Sequence, residues 1–316
     1  MAHFKGVIKF VYRKIVPGII RSNIWRIKKS IGEFIKRNEE KYLFFYLRSV
    51  KKASKERLRP RELLRFEVNI TDHCNLNCVG CEHFSPIAEK YFIDVDCYMR
   101  DCKRLSELTN CTIENLHLMG GEPLLHPEII KIMEISRKYF QVGVIEIVTN
   151  GILLLKQKEL FWEKCRENDI KISITQYPIS INYGAIESKA KKYNVNLSYY
   201  FIGTKTMQKR PLDMRGRQDI ENNFKMCHMS NNCIQLCDGK LYTCVVIAYI
   251  PIFNKYFNQS FEVTKEDYVD IYEVNNKKEI FDFLCKPVPF CKYCNIKKMV
   301  RGLDWSVSKK DISEWI

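Results

Sequence analysis

Three cysteines with the spacing C-x3-C-x2-C follow a short apolar run near residue 70; they are Cys74, Cys78 and Cys81. Three thiolates on one tight loop can hold three irons of a [4Fe–4S] cluster, and the fourth iron then stays open to a small molecule. A zinc site usually takes a fourth Cys or His ligand, which His73 or His83 could supply. The loop by itself therefore indicates a metal centre, either a cluster or zinc.

A second pattern, Gly120-Gly121-Glu122-Pro123, follows a predicted strand over residues 115–119. The carboxyl ends of parallel barrel strands carry the active site. A pair of glycines lets the backbone approach a ligand closely, and the carboxylate can accept a hydrogen bond from an ammonium group. Alone, these four residues could also form an ordinary turn between a strand and a helix.

Together the two motifs resemble the signature of the radical S-adenosylmethionine (SAM) enzymes. The resemblance implies that the open iron binds the amino and carboxylate groups of SAM, and that the GGEP motif holds the methionine amino group. It also implies that a flavodoxin- or ferredoxin-type protein reduces the cluster and that a 5'-deoxyadenosyl radical abstracts hydrogen from the substrate. The residue before the third cysteine is often aromatic in this family and packs near adenine. Here it is Gly80, so contacts to adenine must come from elsewhere.

Polar residues also lie at the ends of the third and fourth predicted strands, at Thr149, Asn150 and Ser173. The resemblance implies that Asn150 and Ser173 contact SAM. The alternative is turn formation, because Asn-Gly is a common turn pair. Gln176 and Tyr177 are candidates for facing the substrate.

Four further cysteines occur in the last third of the chain: Cys227, Cys244, Cys291 and Cys294. Asp238-Gly239 suits a hairpin turn, which would bring residues 241–246 back along a partner strand near the first of them. The spacing C-x11-G-x4-C with a later CxxC resembles the Twitch and SPASM extensions, which hold auxiliary [4Fe–4S] clusters. A full SPASM extension needs more cysteines after the CxxC, and this chain has none there. The resemblance therefore implies a Twitch form with one auxiliary cluster on these four cysteines.

The remaining cysteines are candidates for other roles. Cys233 could replace Cys227 as a ligand if its loop folds differently. Cys233 and Cys237 are candidate hydrogen-atom donors to a substrate radical, and a structural thiol is the alternative for both and for Cys285. The others lie singly in helical or loop patterns, as structural thiols do: Cys97, Cys102, Cys111 and Cys165.

The chain has 316 residues, 46% of them hydrophobic, enough for one large domain with an appendage. It contains no run of eighteen uncharged apolar residues, so no membrane-spanning helix is expected, and its N-terminus lacks the features of a signal peptide. Its 14 cysteines, without a secretion signal, indicate a reducing compartment. We therefore expect a cytoplasmic protein, with peripheral contact to the inner face of the membrane as an option.

The formal net charge of +15 is concentrated at the N-terminus. Residues 1–60 hold 17 Lys or Arg and 4 Glu, a net charge of +13, whereas the other 256 residues carry +2. Apolar residues recur in this segment at helical spacing: Ile24, Ile27, Ile31, Phe34 and Ile35. A basic amphipathic helix is typical of a segment that lies on an anionic membrane, and a helical extension packed on the barrel is the alternative. Nucleic acid is a third option, but no known reading motif is present and none is expected to bind.

Predicted strands and helices alternate from residue 64 onward. The predicted strands are residues 66–71, 115–119, 142–149, 170–175 and 195–202, and the predicted helices are 94–108, 127–140, 158–168 and 181–193. Repeated βα units predict a parallel sheet of the α/β class. This region is too short for a complete eight-stranded barrel, and the resemblance implies a partial (β/α)6 TIM-like barrel. Residues 203–226 are polar and basic, which predicts a loop over the barrel mouth.

These patterns divide the chain into a basic helical extension (1–60), a radical SAM barrel (61–220) and a Twitch-like auxiliary domain (221–316). We expect hydrogen abstraction from a carbohydrate or cyclitol-type substrate, ending in oxidation or epimerisation. Modification of a ribosomally made peptide is the alternative, although residues 1–60 are short for a peptide-recognition domain. A non-enzymatic Fe–S scaffold or sensor is a third reading, which the GGEP motif disfavours.

Overall fold

The computed structural model describes residues 54–201 and 206–316, together with Lys52. None of the helices formed by these residues combines the length and hydropathy needed to span a bilayer. A basic amphipathic helix is predicted for residues 1–60. Residues 1–51 and 53 of that segment lie outside the described residues. Residues 54–316 form one compact unit.

Five parallel strands lie side by side in the order in which they occur in the chain. They are β1 (Arg65–Thr71), β2 (Thr112–Gly120), β3 (Val142–Thr149), β4 (Ile170–Thr175) and β5 (Leu197–Phe201). Each pairs in parallel with the next. All five coincide with predicted strands to within a few residues, and the partial TIM-like α/β fold is confirmed.

Four helices connect these strands: α1 (Val95–Thr109), α2 (Ile129–Tyr139), α3 (Glu159–Glu167) and α4 (Tyr183–Lys192). Helix α1 begins after Asp94, whose side chain accepts a hydrogen bond from the Cys97 N–H at 2.8 Å and so satisfies a free donor of the first turn. Helix α2 starts later than predicted, because Glu128 is its N-cap and Pro127 precedes the helix instead of lying in its first turn.

The side of the sheet that faces the helices is apolar. Phe66, Val68 and Ile70 alternate along β1 and are at most 1% exposed, within one core that includes buried residues of all four helices. Fully burying such a side chain contributes about 1.5–3 kcal/mol. The register is therefore fixed, because a slip by one residue would turn Glu67 and Asn69 into this core.

The C-terminal third extends the same sheet beyond β1. Strand β7 (Gln235–Cys237) runs parallel to β1, and β8 (Lys240–Tyr242) and β9 (Tyr268–Asp270) follow in antiparallel pairing. Asp238 (φ 48°) and Gly239 (φ 70°) form the tight turn between β7 and β8, as the Asp-Gly pair predicts. The predicted partner strand over 241–246 is too long. The strand ends at Tyr242, because helix α6 (Val245–Phe257) begins three residues later, after its N-cap Cys244.

The predicted loop over 203–226 is wrong for much of its length. Residues Thr206–Lys209 form β6, which pairs in antiparallel fashion with β10 (Val300–Asp304), and Ile220–Met226 form helix α5. Along the chain, helix α7 (Lys277–Leu284) lies between β9 and the pair Cys291 and Cys294. A second apolar core surrounds α6 and contains Phe84, Phe253, Phe290 and Trp315. This core joins the segment after the first cysteine loop to the C-terminus.

Candidate active site

The first three cysteines lie on the loop that leaves the carboxyl end of β1. Each is buried or half-buried. Burial raises the pKa of the Cys74 thiol to about 12 and that of Cys78 to about 11, and the neighbouring thiol of Cys81 adds to both shifts. Burial also opposes ionisation of Cys81, but hydrogen bonding and the charge of His83 outweigh it and lower the pKa of that thiol. Three thiols on one loop, two of which resist ionisation without a cation, form a donor set suited to a metal centre.

A single metal ion needs its ligands closer together than a cluster does. Within the described residues, no three His, Cys, Asp or Glu side chains converge tightly enough to hold one ion. Ligands of one zinc ion lie about 2.0–2.3 Å from it, whereas a cluster spreads its thiolates over several irons.

The two glycines of the GGEP motif let β2 close onto the start of the cysteine loop. A Cβ on Gly120 would lie 2.3 Å from the Thr71 carbonyl oxygen, and one on Gly121 would lie 2.0 Å from the His73 carbonyl oxygen. The backbone N–H of Gly121 donates to the Thr71 oxygen at 2.7 Å, and that of Glu122 donates to the His73 oxygen at 2.9 Å. The sequence predicted that the two glycines let the backbone approach a ligand closely. In the structure they let β2 approach the backbone that leads into Cys74.

The Glu122 carboxylate is fully buried and binds protein donors. It accepts from the Thr149 hydroxyl at 2.6 Å, from the Asn150 N–H at 2.9 Å and from the Leu124 N–H at 3.1 Å. Burial raises its pKa to about 7, although these hydrogen bonds favour the charged form. An ammonium group would have to compete with these donors, so the predicted contact of this side chain with SAM stays a prediction. Its observed contacts join the ends of β2 and β3.

The structure separates Asn150 from Ser173. The Asn150 side-chain amide donates to Asn75 Oδ1 at 2.7 Å, which places it against the cysteine loop. Ser173 lies deeper, 1% exposed, and donates to Glu146 Oε2 at 2.6 Å. Asn150 is therefore adjacent to the predicted cluster, whereas Ser173 belongs to a network on the sheet.

That network covers the sheet face opposite the helices, which we call the polar face: Glu67, Asn69, Asn115, His117, Glu146, Lys171, Ser173, Ser198 and Gln235. The strand register places them side by side, with Glu67 opposite His117 and Glu146 opposite Lys171. His117 Nδ1 lies 3.5 Å from Glu67 Oε1, and Lys171 Nζ lies 3.0 Å from Glu146 Oε1. Sequence reasoning singled out only Ser173. The signal that could have revealed the polar face is a polar residue at every second position of strands that are expected to be buried.

An aromatic pair contacts the second cysteine of the loop. Trp305 donates its indole N–H to Cys78 Sγ at 3.2 Å, and its ring centroid lies 6.3 Å from that of Tyr177. The candidate substrate residue Tyr177 thus lies beside the cysteine loop. Sequence reasoning missed Trp305, because 224 residues or more separate it from the three cysteines and no local pattern marks it.

The other four clustered cysteines line one cavity, which we call the second cysteine cavity: Cys227, Cys244, Cys291 and Cys294. The first two lie at the end of α5 and the start of α6, and the pair lies on and just after a 3-10 turn. Burial raises the pKa of Cys244 to about 12, and the neighbouring thiol of Cys227 acts in the same direction. Arg210 also lines the cavity, with a side chain that is 3% exposed. Four thiols and one buried cation fit an anionic cluster with four thiolate ligands.

The remaining cysteines lie apart from this cavity's lining. Cys233 is buried nearby and its pKa is raised by burial. Cys237 is half-buried at the β7–β8 hairpin, where burial raises its pKa to about 12 and the charges of Asp238 and Asp72 add to the shift. Cys102 and Cys165 lie in the main core, as predicted for structural thiols, and Cys97 is exposed.

Comparison with known families identifies the barrel. Residues 68–194 match the model of the radical SAM superfamily. The chain contains a radical SAM domain. The match begins within β1 and ends just after α4, so it contains the cysteine loop and the GGEP motif. A radical SAM domain implies an enzyme with a [4Fe–4S] cluster and SAM, and the match confirms the resemblance carried by the first cysteine motif and the GGEP motif.

Individual relatives of the radical SAM domain are distant. GTP 3',8-cyclase from Clostridium botulinum (strain Okra / Type B1) is 27% identical over 260 residues, which cover 74% of this chain and 77% of that protein. GTP 3',8-cyclase from Clostridium acetobutylicum is 35% identical over 97 residues, 30% of this chain and 29% of that protein.

Similar solved structures are also distant. BtrN in complex with AdoMet and 2-DOIA has a TM-score of 0.46 at 18% identity, covering 75% of this chain and 94% of that chain. Streptococcus suis SuiB bound to S-adenosylmethionine has a TM-score of 0.37 at 11% identity, covering 89% and 77%. These similarities do not select a substrate for the radical SAM domain.

Proposed function

We propose that this radical SAM enzyme abstracts a hydrogen atom from a carbohydrate or cyclitol-type substrate and oxidises or epimerises it. The observation that carries the proposal is the polar face, which lies on the same sheet as the cysteine loop. Sugars and cyclitols place many hydroxyls on a small ring, and a surface with closely spaced donors and acceptors suits them.

Unpartnered acceptors on the polar face support a ligand with hydroxyl groups. The side-chain oxygens of Asn115 and Gln235 are buried and accept no hydrogen bond within the described residues. A buried acceptor without a donor costs about 1–3 kcal/mol. Donation from substrate hydroxyls would recover that free energy. An apolar substrate would leave both oxygens unsatisfied.

The proposed role of each residue follows from where it lies. Cys74, Cys78 and Cys81 would hold the cluster, and the cluster and SAM, when bound, supply a carbon-centred radical that removes a hydrogen atom. Lys171 and Glu146 would orient hydroxyls of the substrate. His117, whose Nδ1 lies 3.5 Å from Glu67 Oε1, is placed to accept the hydroxyl proton when the substrate carbon is oxidised, as a histidine general base does.

We further propose that the second cysteine cavity holds an auxiliary [4Fe–4S] cluster, as in a Twitch extension. Oxidation of a carbinol removes one hydrogen atom, one proton and one electron. An auxiliary cluster would supply the electron acceptor, and four thiolates would leave it no open iron for a ligand. Epimerisation would instead need a hydrogen-atom donor. Cys233 and Cys237 are the candidates for this role.

The proposal is tested by substrate-stimulated formation of 5'-deoxyadenosine. Anaerobically reconstituted full-length protein is incubated with dithionite, SAM and panels of sugars, nucleotide sugars and aminocyclitols, with GTP and short peptides as rival substrates. We expect stimulation by a polyhydroxylated ring, and transfer of deuterium from the labelled substrate carbon to 5'-deoxyadenosine. Stimulation by GTP or peptides alone would overturn the substrate class.

Variants of two lysines test the role of the polar face. Lys171→Met should lose at least tenfold in substrate-stimulated turnover and keep its iron content, since Lys171 lies on the polar face. Lys191→Met is the matched control, because Lys191 is exposed on α4, and it should behave like the wild type. Equal turnover in both variants would remove the polar face from substrate binding.

A further inference from the structure

The C-terminal residues 305–316, which we call the C-terminal strap, run along the cysteine loop. The Val79 N–H donates to the Ser306 carbonyl at 2.9 Å, and the Ser308 N–H donates to the Asn77 carbonyl at 2.8 Å. Cys78 and Val307 form an antiparallel bridge between these two bonds. The strap is thus paired, as a short strand would be, with the segment that carries the second cysteine.

The far end of the strap is held by separate contacts. The Gly80 N–H donates to Glu314 Oε2 at 3.3 Å, and the Trp315 indole N–H donates to the Cys81 carbonyl at 2.9 Å. Trp315 also packs against Phe84 and Phe253 in the second core. The strap therefore contacts the loop on both sides of Cys78, and apolar packing fixes its end.

The strap also explains the glycine before the third cysteine. Gly80 has a φ of +60°, and a Cβ there would lie 3.2 Å from the Glu314 carbonyl oxygen. An aromatic side chain at this position would be strained by the backbone and directed at the strap. The aromatic side chains beside the loop come instead from Trp305 and Tyr177.

We propose that the C-terminal strap is part of the radical-cluster site, and that Trp305 is a positioning residue that raises the reduction potential of the cluster through its N–H···S hydrogen bond to Cys78. This inference rests on the proposed ligation by Cys74, Cys78 and Cys81. Reduction adds negative charge to the cluster and its thiolates, so a hydrogen-bond donor stabilises the reduced state more than the oxidised state.

The test compares two tryptophan variants in the reconstituted full-length protein. Trp305→Phe keeps an aromatic ring beside Tyr177 but removes the N–H that reaches sulfur. Trp162→Phe is the matched control, because Trp162 lies in the main core away from the strap and its indole N–H donates to no acceptor within the described residues. Potentials are measured by redox titration, following the electron paramagnetic resonance signal that changes when SAM is added.

Trp305→Phe should move the potential to a more negative value. A hydrogen bond that is stronger by about 1 kcal/mol in the reduced state than in the oxidised state changes the ratio of reduced to oxidised cluster about fivefold, which is about 40 mV for one electron. Trp162→Phe should leave the potential near that of the wild type. An unchanged potential in Trp305→Phe at full iron content, or equal shifts in both variants, would overturn the role of Trp305.

A backbone variant tests the strap independently of Trp305. Ser308→Pro removes the N–H that donates to Asn77, whereas Ser308→Ala keeps it. The proline variant should lose its SAM-responsive cluster to an iron chelator several-fold faster than the alanine variant. Equal rates would overturn the strap's part in the site. A wild-type protein without any SAM-responsive signal would instead refute the proposed ligation itself.

Discussion

The guanidinium of Arg210, which lines the second cysteine cavity, lies 3.1 Å from Oε1 of Glu82, the residue that directly follows Cys81. The arginine side chain is 3% exposed and the glutamate side chain 25% exposed. One ion pair therefore connects the two cysteine sites, and its cationic member faces the four thiols. Loss of either partner would leave a mostly desolvated charge.

Arg210→Met should destabilise the protein and reduce iron in the second site. Removing one partner of a buried pair costs about 3 kcal/mol, and the four thiolates would lose their nearest buried cation. Chemical denaturation and iron analysis measure the two effects. The double variant Arg210→Met/Glu82→Gln should regain part of the stability, because no unpaired charge remains, but it should not regain the iron. Full recovery of both would show that the pair acts only as a structural contact.

Glu122 predicts a pH dependence of stability. Its pKa is raised by burial from 4.5 to about 7, so the folded state keeps a proton that the unfolded state releases. The stability contributed by the neutral acid is complete below pH 4.5 and is lost as the pH rises through about 7. This change amounts to a few kcal/mol at most, on the order of 3. Urea unfolding of the wild type and of Glu122→Gln at pH 5 to 8 should show the wild type losing its advantage with rising pH.

The same series with the exposed Glu62→Gln serves as the control. Its stability should follow that of the wild type at every pH. Curves for wild type and Glu122→Gln that stay parallel over the whole range would contradict the raised pKa.

Gly121→Ala should prevent the cysteine loop from closing on β2. The added Cβ would lie 2.0 Å from the His73 carbonyl oxygen, a distance that no backbone tolerates without moving. We expect loss of most of the SAM-binding cluster, measured as iron and as 5'-deoxyadenosine formed. Gly184→Ala, in the first turn of α4, is the matched control. The atom nearest to its added Cβ would be Asn182 Oδ1, 3.8 Å away. Similar iron contents in the two variants would argue against this role of the GGEP glycines.

Iron content separates the two cysteine sites. The triple variant Cys74→Ala/Cys78→Ala/Cys81→Ala should retain about four irons per chain and lose all SAM cleavage, because the second cysteine cavity still offers four thiolates. Cys291→Ala/Cys294→Ala should also retain about four, and these irons should respond to SAM. A folded triple variant without iron would remove the auxiliary cluster from the proposal.

The basic N-terminal segment is proposed to bind anionic membranes. Residues 1–53 hold 14 Lys or Arg and 3 Glu, and each basic residue near such a surface contributes about 1 kcal/mol. The deletion should stop at residue 53, because Arg57 donates to the Lys225 carbonyl at 2.7 Å and Arg61 donates to the Asn231 carbonyl at 2.8 Å. Flotation with phosphatidylglycerol vesicles at low salt should retain the full chain and release the deletion variant. Equal flotation of both would contradict the proposal.

Local patterns in the sequence determined the five parallel strands, the four helices that connect them and the two cysteine motifs. Alternating apolar residues such as Phe66, Val68 and Ile70 specify a strand, because the period of a strand is two and one face must be buried. Asp238-Gly239 specified its hairpin for a similar reason, since few residues adopt the positive φ angles of that turn. Ligand spacing is also local, so the loop at Cys74 and the pair at Cys291 were readable without coordinates.

The tertiary structure decided which distant residues meet. Trp305 reaches Cys78, and Arg210 reaches Glu82, across separations that no periodicity records. The polar face also depends on register between strands, which sets Glu67 opposite both His117 and Gln235. The sequence also did not determine toward which groups the Glu122 carboxylate points. A buried carboxylate turns toward whichever donors packing brings within reach, and here these are the hydroxyl of Thr149 and the N–H groups of Leu124 and Asn150.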